Sequence, residues 1–371
     1  MADVTQFDRY LNDDGPAALV IREHLMPVEG RDGVLFPATF AAGDGFPGGY
    51  NIDVDANGTN VCLIDSVGSQ ANRLEPLFAQ KKYRALVPQI VVKAGHKEVN
   101  LLEAGHRAGD AIIRCSELRK TLQEAFKAVL RGDAEPLAKI APTSLVFGVW
   151  DSRDTQAKLP RLIASTIRAF NVRRLTRHAQ FVPALDYVAE GMLEEPEDLR
   201  DAEGRVKGKH PFAQRGFTHV PVTKFENTHG GVLATGGIRR DATLGLAALR
   251  LLFAGKDEER TLALRRYILG LALTVFTHNP PAYLRQGCLL VPDPDKPREF
   301  VEVEYNGKRP PAGVTADLAL EYASAAAAAF GVGKDQTVSF DKERAKEDLL
   351  GDGDGKAKAA KKQKTSSPEK R

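Results

Sequence analysis

Cysteine is scarce, with 3 residues in 371, and Cys62, Cys115 and Cys288 lie far apart. Their odd number and spacing exclude a disulfide framework and a zinc knuckle. Long apolar runs are also missing, since no stretch approaches the roughly 20 apolar residues of a membrane-spanning helix. The opening MADVTQFDRYLNDDGP has no basic-then-apolar build, so a soluble cytoplasmic protein with no membrane partner is expected. Catalytic signatures are absent as well. The eight histidines form no His-Glu-x-x-His pair, and no Gly-x-Ser-x-Gly elbow occurs. Asp151 and Asp154 stand beside Arg153 and Lys158, which reads as charge balance and not as a metal pair. No internal repeat is visible. These absences favour binding over catalysis, with no catalytic residue, metal or cofactor expected.

Charge is present but divided. The formal net charge of +3 conceals a tail, residues 352–371, with seven basic and three acidic side chains. The other 351 residues hold 45 basic and 46 acidic groups, a net of −1. A site for a polyanion must therefore be local.

The densest such cluster lies in 144–178. A strand-like run, Ser144 to Trp150, leads through a polar loop to Pro160, which suits a first helical turn. Leu159, Leu162, Ile163, Ile167 and Phe170 recur at helical spacing, and Lys158, Arg161, Ser165 and Arg168 share another face. A helix over this span is the expectation. Ser152, Arg153, Lys158, Arg161, Arg168, Arg173 and Arg174 make the stretch a candidate polyanion surface.

Two further stretches stand out. In Cys62–Glu75 a short strand runs to Asp65 or Ser66, either a good N-cap, and then into an amphipathic helix that Pro76 should kink or end early. Ser66, Ser69, Gln70, Asn72 and Arg73 make its start a candidate phosphate site. In Thr228–Thr243, the pairs Gly230-Gly231 and Gly236-Gly237 follow His229 and precede Arg239 and Arg240. Asp241 is the expected N-cap of a helix burying Leu244, Ala247, Ala248 and Leu251. Gly237 and Ile238 replace the Lys and Ser/Thr of a P-loop, which excludes that motif.

Elsewhere the pattern predicts strands at 17–26, 34–41, 85–92, 179–187, 287–291 and 300–305, and a hairpin turning at Asn57-Gly58. Helices are expected at 106–130, 258–276 and 315–330. The segment 186–203 carries eight acids against one base and precedes a basic Gly-rich loop, so it reads as a solvated insertion. From about Glu343 the pattern dissolves into a disordered basic tail.

Taken together, IDSVGSQANRLEPLF (64–78), FGVWDSRDTQAKLPRLIASTIRAFNV (147–172) and GGVLATGGIRRD (230–241) resemble the backbone subunit of type I-G (formerly I-U) CRISPR Cascade, over roughly residues 15–340. The resemblance implies an α+β fold: a modified RRM-like (ferredoxin-like) core of the RAMP superfamily with large helical and loop insertions. It implies one body, 1–344, with an inserted thumb-like segment at about 186–219, and a tail, 345–371. It further implies a non-catalytic subunit that stacks helically along CRISPR RNA. The partners implied are copies of itself, the large subunit, a fused cap and processing subunit, and target DNA through guide pairing. The residues of the three stretches are then the candidate RNA contacts. An RNA-processing endonuclease of the same superfamily, recruiting His178 or His229 as base, and a phosphate-binding α/β metabolic enzyme are the alternatives.

Overall fold

The computed structural model describes residues 3–176, 180–221 and 229–349. Its centre is an antiparallel sheet of eight strands: Ala18–Pro27 (β1), Ile52–Val54 (β2), Asn60–Asp65 (β3), Ile163–Phe170 (β4), Ile238–Gly245 (β5), Tyr283–Arg285 (β6), Cys288–Pro292 (β7) and Glu299–Val303 (β8). The order is β6-β7-β1-β5-β4-β3-β2, and β8 pairs with the first half of β1. The main helices are Val67–Leu74 (α1), Arg119–Leu130 (α2), Glu258–Thr277 (α3) and Ala316–Phe330 (α4). The fold is α+β.

Alternation along the strands gives the sheet two unlike faces. Leu19, Ile21 and Leu25 of β1, Ile163, Ile167 and Ala169 of β4, and Ile238, Ala242 and Leu244 of β5 are all buried. This inner face splits into two apolar clusters. Leu19, Ile21, Ile163, Ala242 and Leu244 join the large core formed with the helices. Leu25, Ile167, Ala169 and Ile238 pack instead with Cys62, Ile64, Leu284, Cys288 and Leu290, which come from strands toward both edges.

The sheet achieves this by curling. Four strands separate β6 from β3, yet Arg285 of β6 donates to the Ile64 carbonyl at 2.9 Å and to Asp65 Oδ1 at 2.7 Å. Where the helices cease to cover the inner face, the sheet covers itself.

Several elements match the sequence expectation. These include β1, the hairpin of β2 and β3 around Asn57-Gly58, α3, and the two strands β7 and β8. Ser66 caps α1, accepting from the Ser69 amide at 3.2 Å, and Thr315 caps α4.

Other expectations need correction. The segment 163–170 is a strand, not a helix: Ile163, Thr166 and Ile167 are β-branched, and β5 and β3 supply hydrogen-bonding edges on both sides. The run before it is a short buried helix, Thr143–Phe147, followed by a two-residue strand, Val149–Trp150. Residues 238–245 form a strand as well, so Asp241 caps nothing, and Leu251 is 72% exposed instead of buried. Ala247 is exposed too. The helix expected at 106–130 is broken into Arg107–Gly109, Ala111–Arg114 and α2, with Asp110 capping the middle piece. At 85–92 the strand begins only at Ile90. At 34–41 only Thr39–Phe40 forms a strand. At 179–187 the strand is reduced to Gln180–Phe181, and residue 179 lies outside the described residues. Residues 342–349 are helical, extending ordered chain beyond Glu343.

Close approach of α3 and α4 depends on Gly270. A Cβ there would lie 2.8 Å from Ala323 Cα, so the helices must separate to admit it. Gly270→Ala is expected to lose about 1–3 kcal/mol, the usual cost of overpacking, read as a lower urea midpoint at unchanged slope.

Candidate nucleic-acid interface

The outer face of the sheet results from the same alternation. Residues between the buried positions point outward, and in β1 these include Arg22 and His24. Strand register aligns them across the sheet: His24 lies opposite Arg239, and Arg239 opposite Arg168. In the neighbouring row Arg22 lies opposite Asp241, and Asp241 opposite Thr166. Three arginines thus stand side by side on one surface, which is covered by neither apolar cluster.

One carboxylate serves two of them. Asp241 accepts from Arg22 Nε at 3.3 Å and from Arg239 Nε at 2.9 Å. Arg168 donates to Thr166 Oγ1 at 2.6 Å. A guanidinium has five N–H donors, so these bonds use a small part of the capacity of the trio. Arg239 also lies over the Phe170 ring, 4.8 Å from its centroid. Partial burial holds the His24 pKa below the usual range, and the nearby Lys296, Arg239 and Arg22 cations lower it further against the Asp293 carboxylate. The surface is suited to an anion that is repeated and extended, gripped by forked donors.

The residues singled out from the sequence fall into distinct settings. Arg168 and Arg239, 71 positions apart in the chain, meet on this face. Arg240 does not. Strand alternation turns it inward, where it is 2% exposed and donates to Glu23 Oε2 at 2.8 Å, so its charge is met inside the fold.

The start of α1 is likewise engaged within the fold. Asp65, whose side chain is fully buried, accepts from Ser69 at 2.9 Å, Gln70 at 2.7 Å and Arg73 at 3.2 Å, besides Arg285. Gln70 is 1% exposed and also accepts from Ser165, which faces inward. Asn72 accepts from Arg107 at 3.2 Å. Ser66 is engaged as the helix cap. Ser69, Gln70 and Arg73 therefore hold a buried carboxylate. Gln70 meets the inward-facing Ser165, whereas Arg239 alternates with the inward-facing Ile238 and Arg240.

The glycine pairs have internal reasons. A Cβ at Gly230 would lie 2.5 Å from the Thr176 backbone, and one at Gly236 2.8 Å from the Phe170 carbonyl oxygen. Gly231 and Gly237 adopt φ of +95° and +83°, and Gly231 donates to the Tyr50 hydroxyl. The close neighbour at these positions is protein. His229 is wedged over Gly49, where a Cβ would lie 2.5 Å from its ring, and 5.0 Å from the Tyr50 ring centroid. His178 lies outside the described residues.

Arg173 and Arg174 are exposed on the strand Val172–Arg174, which pairs with Val232–Ala234. Ser152 and the exposed Arg153 sit in a loop that Asp151, 2% exposed, braces by accepting from Thr155. Lys158 and Arg161 are exposed at the end of that loop. Arg22, His24 and Lys296 escaped the sequence reading. The signal for the first two was the alternation Ile21-Arg22-Glu23-His24-Leu25, obscured because Glu23 occupies an inward position.

Among the described residues no group of three or more His, Cys, Asp or Glu could hold a metal ion, and no helix is long and apolar enough to cross a membrane. Residues 19–174 match the family model described as CRISPR-associated protein GSU0053. The sequence resemblance to a CRISPR-associated family is thereby shown over that region, which contains Arg22, His24, Trp150 and Arg168. No curated protein matches the chain.

Proposed function

We propose that this chain is a non-catalytic backbone subunit of a type I CRISPR effector, gripping the guide RNA along the outer face of its sheet. The observation that carries the proposal is the row His24–Arg239–Arg168 with Arg22 beside it. Guide spacers vary in sequence, so a subunit that serves all of them must hold phosphate and sugar and ignore base edges. Forked cations on a sheet supply that kind of grip.

Two further observations support the reading. The strand order β7/β8, β1, β5, β4, with helical segments between β1 and β4 and α3 between β5 and β7, is the order expected of a ferredoxin-like, RRM-like core. The segment 180–221 leaves and rejoins the body through a paired neck, Gln180–Phe181 with Val220–Pro221. It holds a small core of its own, in which Tyr187 and Phe212 pack on Phe217. Such an excursion suits a thumb pressed onto the next copy along the RNA. Copies of the chain, further Cascade subunits and target DNA paired to the guide are the proposed partners, in the cytoplasm.

Purified protein titrated with unrelated single-stranded RNAs of equal length tests the reading. Affinities should agree across sequences and fall steeply with salt, each neutralised phosphate contributing about 0.7 to the logarithmic slope. Strong preference for one sequence, cleavage of the RNA, or salt-independent affinity would contradict it.

A further inference from the structure

We propose that Trp150 is a base-stacking residue, forming with Lys158 a platform for one nucleotide of single-stranded RNA away from the arginine row. The inference rests on the reading of the chain as an RNA-binding subunit.

Trp150 is the only tryptophan in the chain, and it is 56% exposed. Its flanks are not: Val149 is 7% exposed and Asp151 2%. The backbone beneath the indole is fixed from several sides. Trp150 pairs with Lys158 across a two-residue ladder. The Gly148 carbonyl accepts from Arg107, and the Asp151 amide donates to the Ala157 carbonyl at 2.9 Å. Gly109 packs so closely that a Cβ would lie 3.1 Å from the Trp150 carbonyl oxygen. A rigid pedestal therefore holds out the largest apolar side chain of the alphabet, whose burial would stabilise the fold.

Charge says what suits it. The Lys158 ammonium lies 5.4 Å from the indole centroid. The Arg161 stem lies against Gly148, where a Cβ would be 2.8 Å from its Cγ. A flat apolar ring with an ammonium over it complements a nucleotide, the base displacing the ammonium from the ring and the phosphate taking it up. Stacking accepts any base, as a guide-binding site requires.

The lone tryptophan makes the test specific. Full-length protein is titrated with a short end-labelled oligouridylate, following tryptophan fluorescence and label anisotropy together. Quenching should saturate with the same midpoint as anisotropy. Trp150→Leu should bind about 5- to 150-fold more weakly, the equivalent of roughly 1–3 kcal/mol for one stacked base. Trp150→Phe should recover much of the loss, and both variants should melt like the wild type. If RNA binds by anisotropy while fluorescence stays constant and Trp150→Leu binds normally, the platform is wrong and the functional reading stands. If anisotropy reports no binding, the functional reading fails and the platform with it.

Discussion

Asp65→Ala should lose about 3–5 kcal/mol of folding stability, the usual cost of removing one partner from a buried ion pair. Its side chain is fully buried and accepts from Ser69, Gln70, Arg73 and Arg285. Without the carboxylate, two guanidiniums and an amide converge on one another. The loss should be global, because Arg285 ties the edge strand β6 to β3 across the curled sheet. Ser69→Ala, which removes one neutral donor, should cost about 0.5–1.5 kcal/mol. Urea unfolding measures both. An Asp65→Ala protein within about 1 kcal/mol of wild type would mean that the curl is held by packing alone.

The second large effect separates two adjacent residues. Arg240→Ala leaves Glu23 buried and unpaired, and it should cost about 3–5 kcal/mol. Arg239→Ala removes a partly exposed bond to Asp241 and should cost about 1 kcal/mol or less. For RNA the order reverses: Arg239→Ala should weaken binding in a protein of near-normal stability. Replacing the buried pair together, Glu23→Leu with Arg240→Met, should restore much of the stability that Arg240→Ala loses. Equal stability of the two single variants would place both arginines on the surface, against the strand assignment.

Local signals in this sequence were reliable. The cap at Ser66, the hairpin at Asn57-Gly58 and the apolar run of α3 all formed where short-range chemistry puts them. The central strands were harder for one shared reason. Glu23, Ser165 and Arg240 occupy inward positions of β1, β4 and β5, between apolar neighbours. Each breaks the period-2 pattern in its own strand, so IRRDATLG reads as the entrance of a helix capped by Asp241, and IASTIRAF fits a helical period as well as a strand. These polar residues are satisfied only across the fold: Glu23 with Arg240, and Ser165 through Gln70 to Asp65. Their partners are 217, 95 and 5 positions away, and the first two lie beyond any local window. The candidate site suffered from the same ambiguity. Arg239 and Arg240 looked equivalent until the strand assigned them to opposite faces. Arg168 reads as part of a basic helix face in the sequence and stands on a strand in the fold.

The central claim is that the outer sheet face neutralises RNA phosphates. It is tested most directly by the salt dependence of single-stranded RNA binding for the variant Arg22→Ala/Arg168→Ala/Arg239→Ala. Removal of three phosphate contacts should lower the magnitude of the logarithmic salt slope by about 2, at roughly 0.7 per contact, in a protein whose melting is little changed. A slope and affinity equal to wild type would show that the RNA lies elsewhere.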